Sequence, residues 1–278
     1  NKAMIKITEI EKYTDLLNVY QKRIPNMIYN HMMLPGEAAS HIERGRFYCE
    51  EQETGIVFLV REKDFYKLYF YVHERAEIHV PETDRPRLLE YISAEGREDP
   101  QVEKMRQKTE ALGFRPYVRN KRHRALICDE YLIPLDTGYL REDLLWKYAS
   151  EKDAASIYRL WTVMDIYNST IPEEQEFAAM IAAKELLTVW KEGRMCGVVR
   201  IKQENRRTGS MWLMAVDQEY RRQGIATELY KLSMSVLKSR GYSQVIEWCD
   251  ETNQAILSVS GRFGFQPDGT VSETYILK

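Results

Sequence analysis

The stretch Ala215-Val216-Asp217-Gln218-Glu219-Tyr220-Arg221-Arg222-Gln223-Gly224-Ile225-Ala226 holds the residues best suited to chemistry. Read as a strand passing through a short loop into a helix, it leaves the N–H groups of the first helical turn unpaired and outward-facing, where the helix dipole favours an anion. Gly224 lets a ligand approach the backbone closely, Ala226 keeps the second contact shallow, and Arg221 and Arg222 add positive charge at the same mouth. Such a site suits a phosphate or a pyrophosphate. It has neither the GKS or GKT of a Walker A loop nor the GxGxxG of a dinucleotide fingerprint. A plainer alternative, a turn glycine beside two solvated arginines, stays open at this level.

The elements that must position this loop read clearly in the second half. Ser150 is placed to cap a helix running through Trp161, and Thr170-Ile171-Pro172-Glu173-Glu174 supplies a cap, a proline and acidic residues for another. Three short apolar runs follow, Leu186 to Trp190, Gly197 to Ile201 and Met211 to Val216, divided by turn residues at Gly193 and at Arg206 to Gly209, which predicts an antiparallel meander. From Gly224 the period changes: Ile225, Leu229, Leu232 and Val236 recur at helical spacing, and Gly241 supplies the stop. A strand, Gln244 to Cys249, and a short helix from Asn253 complete the pattern. Strand, helix, strand makes a parallel crossover, so a mixed sheet of the α/β class is expected.

Arg221-Arg222-Gln223-Gly224-Ile225-Ala226 resembles the acetyl-CoA loop of the GNAT superfamily of N-acetyltransferases: Arg or Gln, two variable residues, Gly, one variable residue, then Gly or Ala. Val216 and Glu219-Tyr220 match the usual lead-in, Gln218 replaces a frequent proline, and the similarity continues through Asn253 and Ile256 to Gly264-Phe265, covering residues 145 to 278. The resemblance implies an acetyltransferase that passes an acetyl or related acyl group from acetyl-CoA to an amine by direct attack, with no metal. It further implies that the strand before the loop splays from its neighbour, freeing main-chain groups near Met214, Ala215 and Val216 for the pantetheine arm. Arg221 and the N–H groups from Arg222 through Gln223, Gly224, Ile225, Ala226 and Thr227 would then hold the pyrophosphate, and Asn253 would touch the pantetheine. Asparagine at a helix start is also an ordinary cap.

Catalytic residues are less legible. Seven residues after Asn253, where many family members carry a tyrosine that protonates the departing thiolate, stands Ser260, which is shorter and far less acidic. Tyr230, Tyr242 or Tyr275 could serve instead, or act only in packing. The base candidates are carboxylates, since all five histidines lie in the first half: Glu247 on the last parallel strand, and Asp250 or Glu251 at its end, where ligands of such sheets gather. Cys249 reads as inert core. Ser260 also keeps a second class open, a catalytically weak acyl-CoA-binding or interaction module.

The two halves end alike, with Leu112-Gly113-Phe114-Arg115-Pro116 and Phe263-Gly264-Phe265-Gln266-Pro267, each after a helical pattern and before a β-rich tail. This predicts two tandem modules of one fold, divided near Pro134 to Gly138: residues 1–136 a degenerate GNAT-like domain, 137–278 the acetyl-CoA-binding one. Each is expected to be a mostly antiparallel sheet with a parallel crossover and flanking helices. After the strand Phe65 to Val72 comes His73-Glu74-Arg75-Ala76-Glu77-Ile78-His79, without the glycine a pyrophosphate cradle needs. His73 and His79 would share one face of a strand, as packing residues. The basic run Arg119 to Arg124 reads as a solvated hairpin turn, with RNA or an acidic acceptor as the rarer use.

With 278 residues and 44% hydrophobic composition the chain can bury sizeable cores, and 40 basic against 42 acidic residues leave a formal charge of −2, which excludes a surface wholly devoted to nucleic acid or anionic membrane. Four well-separated cysteines lack CxxC spacing, no apolar run approaches a membrane span, and a signal-peptide core is missing, so a soluble cytoplasmic protein is expected. Asn1 to Ala3, before Met4, are read as foreign to the fold. Small molecules or peptides carrying an amine are the expected partners.

Overall fold

The computed structural model describes residues 4–97 and 99–278. In chain order the elements are β1 (Ile5–Lys6), α1 (Ile10–Arg23), β2 (Met27–Tyr29), α2 (Pro35–Glu43), β3 (Phe47–Gln52), β4 (Gly55–Arg61), β5 (Tyr66–His73), β6 (Arg87–Ala94), α3 (Pro100–Ala111), β7 (Arg115–Leu126), β8 (Tyr139–Arg141) and β9 (Leu144–Tyr148). They continue with α4 (Ala154–Trp161), α5 (Glu174–Ala182), β10 (Leu186–Lys191), β11 (Arg194–Gln203), β12 (Thr208–Val216), α6 (Ile225–Ser239), β13 (Gln244–Asp250), α7 (Gln254–Ser260) and β14 (Gln266–Leu277). No helix of the described residues is long and apolar enough to cross a membrane.

The chain divides into two compact units, one built from residues up to Arg119 plus Gly269–Lys278, the other from Asn120–Asp268. The division differs from the junction expected between residues 136 and 137. Each unit is completed by strand residues from beyond that junction: Thr270 to Leu277 of β14 pair with β6 in the first unit, and Asn120 to Leu126 of β7 pair with β13 in the second. Sequence periodicity carries no information about which sheet a tail joins.

In the first unit the order is β1-β3-β4-β5-β6-β14, with β2 added to β5. The runs Gly55-Ile56-Val57-Phe58-Leu59-Val60 and Leu68-Tyr69-Phe70-Tyr71-Val72 are apolar on both faces because both faces are covered. Tyr13, Ala38, Phe47 and Phe58 pack on one side, Val102, Met105 and Phe114 on the other. The β5 to β6 connection, residues 74–86, contains no helix, and the parallel pairing it joins is only Tyr66↔Arg87 and Lys67↔Leu88. The flanking helix expected for this crossover is therefore missing, consistent with the absence there of a helical apolar period. His73 closes β5 while His79 lies in that irregular connection, so the two do not share a strand face.

In the second unit the order is β7-β13-β12-β11-β10-β9-β8, antiparallel except for β12 beside β13. On one face α6 packs through Ile225, Leu229, Leu232 and Val236; on the other lie α4 and α5 with Ile157, Trp161, Phe177 and Met180. Two glycines set how closely α6 can lie. A Cβ on Gly209 would come within 2.4 Å of the Leu237 Cδ2, and one on Gly197 within 2.9 Å of the Ile225 Cγ2.

Two local expectations change. Helix α5 is capped by Glu173, which forms a capping box with Glu176, rather than by Thr170, because Pro172 holds the chain extended ahead of it. The run Arg119 to Arg124 is an internal part of β7 and not a hairpin turn; Arg122 and Arg124 bond Asp268 at 2.7 and 3.4 Å, Arg124 bonds Gln244 at 2.7 Å, and the Arg122 guanidinium lies over Trp248.

Candidate functional site

The loop between β12 and α6 begins with Asp217, whose side chain accepts from the Glu219 N–H and receives Arg159 at 2.7 Å and Arg194 at 3.3 Å. Burial alone would push this carboxyl up; the Arg159 hydrogen bond, the Glu219 N–H and the charges of Arg159 and Arg194 together hold it below the usual carboxylate range. A fixed anchor therefore sits at the loop's start. At its end, Arg222 has φ +61° and Gly224 φ +82°, both left-handed, which turns the chain sharply into α6.

Gly224 is the N-cap of α6 and provides no side chain to satisfy the first turn. The first main-chain bond of the helix is Glu228 N–H to the Gly224 carbonyl, and no described residue accepts from the N–H groups of Arg222, Gln223, Gly224, Ile225, Ala226 or Thr227. Six consecutive main-chain donors are thus left without a protein acceptor at the start of α6, where the dipole's positive end lies. Arg221 and Arg222 are exposed there and make no ion pair among the described residues. Two cations that sequence reading missed stand beside them: Arg141 of β8 donates to the Gln223 carbonyl at 3.1 Å, and Lys191 of β10 to the Gln223 side chain at 3.3 Å. Their only signal was a basic residue near a strand end, too common to single out.

The strand leading into the loop is splayed. Pairing of β12 with β13 runs Thr208↔Gln244, Gly209↔Val245, Ser210↔Ile246, Met211↔Glu247 and stops there, while β12 continues to Val216 on its other edge. Between Val198↔Ala215 and Arg200↔Trp212, Val199 faces both Leu213 and Met214, a β-bulge with Leu213 at φ +50°. The buried Trp161 indole N–H donates to the Leu213 carbonyl at 3.0 Å and pins that strained residue. Met214, Ala215 and Val216 thus have a sheet edge left unpaired by β13, next to the donor-rich loop.

The other expected residues divide. Asn253 caps α7, its side chain accepting from the Ile256 N–H at 3.3 Å. Asp250 closes β13, half-buried, with Oδ1 accepting from the Thr252 N–H and hydroxyl at 2.8 and 2.7 Å. Ser260 is buried and donates to the Leu257 carbonyl at 3.4 Å. Glu247 is buried at the point where the strands part, and the Tyr230 hydroxyl donates to its Oε2 at 2.5 Å. Burial pushes the Glu247 carboxyl up, with the polar groups of Tyr230, Cys249 and Ser260 offsetting only part. Tyr230 itself stacks on Phe263 at 5.3 Å. His123 lies across the strand from Glu247, so a histidine from the first half of the sequence does stand beside this carboxylate; its distance along the chain hid it. Tyr275 belongs to the first unit.

Comparison with known proteins follows the same lines. Residues 153–265 match the family model "Acetyltransferase (GNAT) family". N-alpha-acetyltransferase 30 of Schizosaccharomyces pombe is 28% identical over 140 residues, 48% of this chain and 82% of that protein. Among solved structures, a tandem GNAT protein from the clavulanic acid biosynthesis pathway is similar at TM-score 0.60 and 12% identity, covering 100% of this chain and 98% of its own. A GCN5-related N-acetyltransferase from Sphaerobacter thermophilus is similar at 0.58 and 12%, covering 99% and 95%. Identity this low speaks to fold, and the loop, the splay and the family match speak to kind. Residues 153–265, within the second unit, form an acetyltransferase domain of the GNAT family.

Proposed function

We propose that the protein is an N-acetyltransferase that takes its acyl group from acetyl-CoA and gives it to an amine. The observation that carries this reading is the set of six main-chain N–H groups from Arg222 to Thr227 without a protein acceptor, adjoining a strand edge left open from Trp212 to Val216. A diphosphate matches the first in charge and donor count, and an amide-bearing chain matches the second as an added strand. Arg221, Arg222, Arg141 and Lys191 add screening charge at the mouth.

Acetyl-CoA would supply an acyl group already activated as a thioester. The chain's own task is then to orient that group, polarise its carbonyl with N–H groups of the splayed β12, and accept the amine's proton. Glu247 faces inward to Tyr230, which removes it from that last role. Asp250, at the strand's C-terminal end with Oδ2 unengaged among the described residues, is the better acceptor, directly or through water. Ser260 is buried and short, so the leaving thiolate departs without a dedicated acid; its reference pKa near 8.5 makes that tolerable.

The acceptor class is a primary amine, and the similarity to N-alpha-acetyltransferase 30 makes peptide N-termini the first arm of a screen, with small amines as the second. The first unit lacks the glycine-led loop and serves as a partner module without a second cofactor site. Free cysteines, three of them buried, suit a reducing, cytoplasmic compartment. The test is CoA release from acetyl-CoA across both amine panels. Release above the rate without acceptor supports the enzyme; tight acetyl-CoA binding without release under any acceptor supports a binding module instead.

A further inference from the structure

Behind the splay lies a second constellation that acyl transfer does not use. His123 on β7 is the direct cross-strand partner of Glu247 on β13, and Cys249 follows Glu247 by two residues, so all three side chains emerge on one face of the sheet. One ligand atom from each, an imidazole nitrogen, a carboxylate oxygen and the thiol sulfur, lie within 4.8 Å of one another. All three residues are at least nine-tenths buried. Glu247 Oε1 has no hydrogen-bond partner among the described residues, and such an orphan is costly in a dry interior.

The surroundings hold these groups as ligands need to be held. The His123 Nδ1 lies 3.2 Å from the Lys121 carbonyl, which fixes that nitrogen as the donor and leaves Nε2 with its lone pair available. Tyr230 donates to Glu247 Oε2 and so turns Oε1 away from itself. An imidazole, a carboxylate and a thiolate form a mixed N, O, S set that selects zinc over hard cations such as magnesium or calcium. A neutral histidine with two anionic ligands also cancels a divalent charge, so the loaded site would bury no net charge, whereas the empty one buries three polar groups with one unanswered.

We propose that His123, Glu247 and Cys249 form a three-ligand zinc site inside the second unit, its fourth position taken by water or by the nearby Ser260 hydroxyl. The site is independent of the acyl-transfer reading: it stands or falls on metal content, not on turnover. Because the ligands are buried, the ion enters as the chain folds.

The test uses the full chain without a histidine tag, produced in medium supplemented with zinc or with cobalt, and measures bound metal and the cobalt absorption spectrum. The expected result is one metal per chain and, for cobalt, tetrahedral visible bands with a thiolate charge-transfer band in the near ultraviolet. Cys249→Ser removes that band, and His123→Ala and Glu247→Gln lower retained metal at least about tenfold. Should any variant fail to fold, Tyr230→Phe, which touches no ligand atom directly bound to metal, weakens retention roughly 10–100-fold while circular dichroism stays unchanged. Wild-type protein without stoichiometric metal, or a cobalt spectrum lacking the thiolate band, overturns the proposal.

Discussion

Replacing Gly224 by glutamate places a carboxylate among the donors at the head of α6. Two contributions can be separated. Gly224 has φ +82°, and a side chain in that left-handed region costs the fold about 1–2 kcal/mol. Steric conflict adds little, since a Cβ there meets only Arg141 Nη1 at 3.5 Å, ordinary contact distance. For binding, a carboxylate about 5 Å from one phosphate charge opposes it by about 3 kcal/mol at an effective dielectric near 20. Salt and solvent at this exposed mouth reduce that to about 2, or roughly 30-fold in affinity. Gly224→Ala carries the same backbone cost without the charge and isolates it. Titration calorimetry with CoA on wild type, G224A and G224E, beside thermal melts, is the assay. If folded G224E binds CoA within about threefold of G224A, the diphosphate is not seated on this helix and the electrostatic reasoning fails.

Trp161→Phe removes the N–H that holds the Leu213 carbonyl, leaving a buried acceptor unmet; denaturant unfolding is expected to show a loss of about 2 kcal/mol, with an accompanying rise in KM for acetyl-CoA as the bulge relaxes. Asp250→Asn is expected to lower kcat by roughly 10²-fold or more with little change in KM, and an unchanged kcat rules Asp250 out as the proton acceptor. Burial pushes His41 down to about 4, Glu37 opposing and Arg46 adding to the shift, so its neutral form is the one the fold favours. The stability that this gives is whole above the unfolded value near 6.5 and is lost as pH falls from there toward 4, by up to about 3 kcal/mol. Urea melts of His41→Gln should therefore show a shallower loss than wild type across that window, and parallel curves would refute the assignment.

How far the sequence spoke depended on range. The helix from Ile225, the meander from Leu186 to Val216 and the cap at Asn253 were readable because apolar period and cap chemistry act within a few residues. The loop was readable for the same reason, since glycine, small residue and arginines all fall within six positions. What stayed hidden was pairing between distant segments. Nothing local says that residues 120–126 join β13, that β14 returns to β6, or that His123 stands across from Glu247. The bulge at Leu213 was equally silent, because a leucine gives no hint of a left-handed backbone that a distant indole holds in place. Even the basic run Arg119 to Arg124 misled, since its charges face Asp268, Glu273 and Glu95 rather than solvent alone.

The proposed seat of the diphosphate is made of main-chain donors, not side chains. A crystal structure of the protein grown with saturating CoA tests it most directly. Phosphate oxygens are expected within hydrogen-bond distance of the main-chain nitrogens of residues 222–227, and pantetheine amides alongside Met214 to Val216. A diphosphate held elsewhere, or a chain that takes up no CoA at saturating concentration, contradicts it.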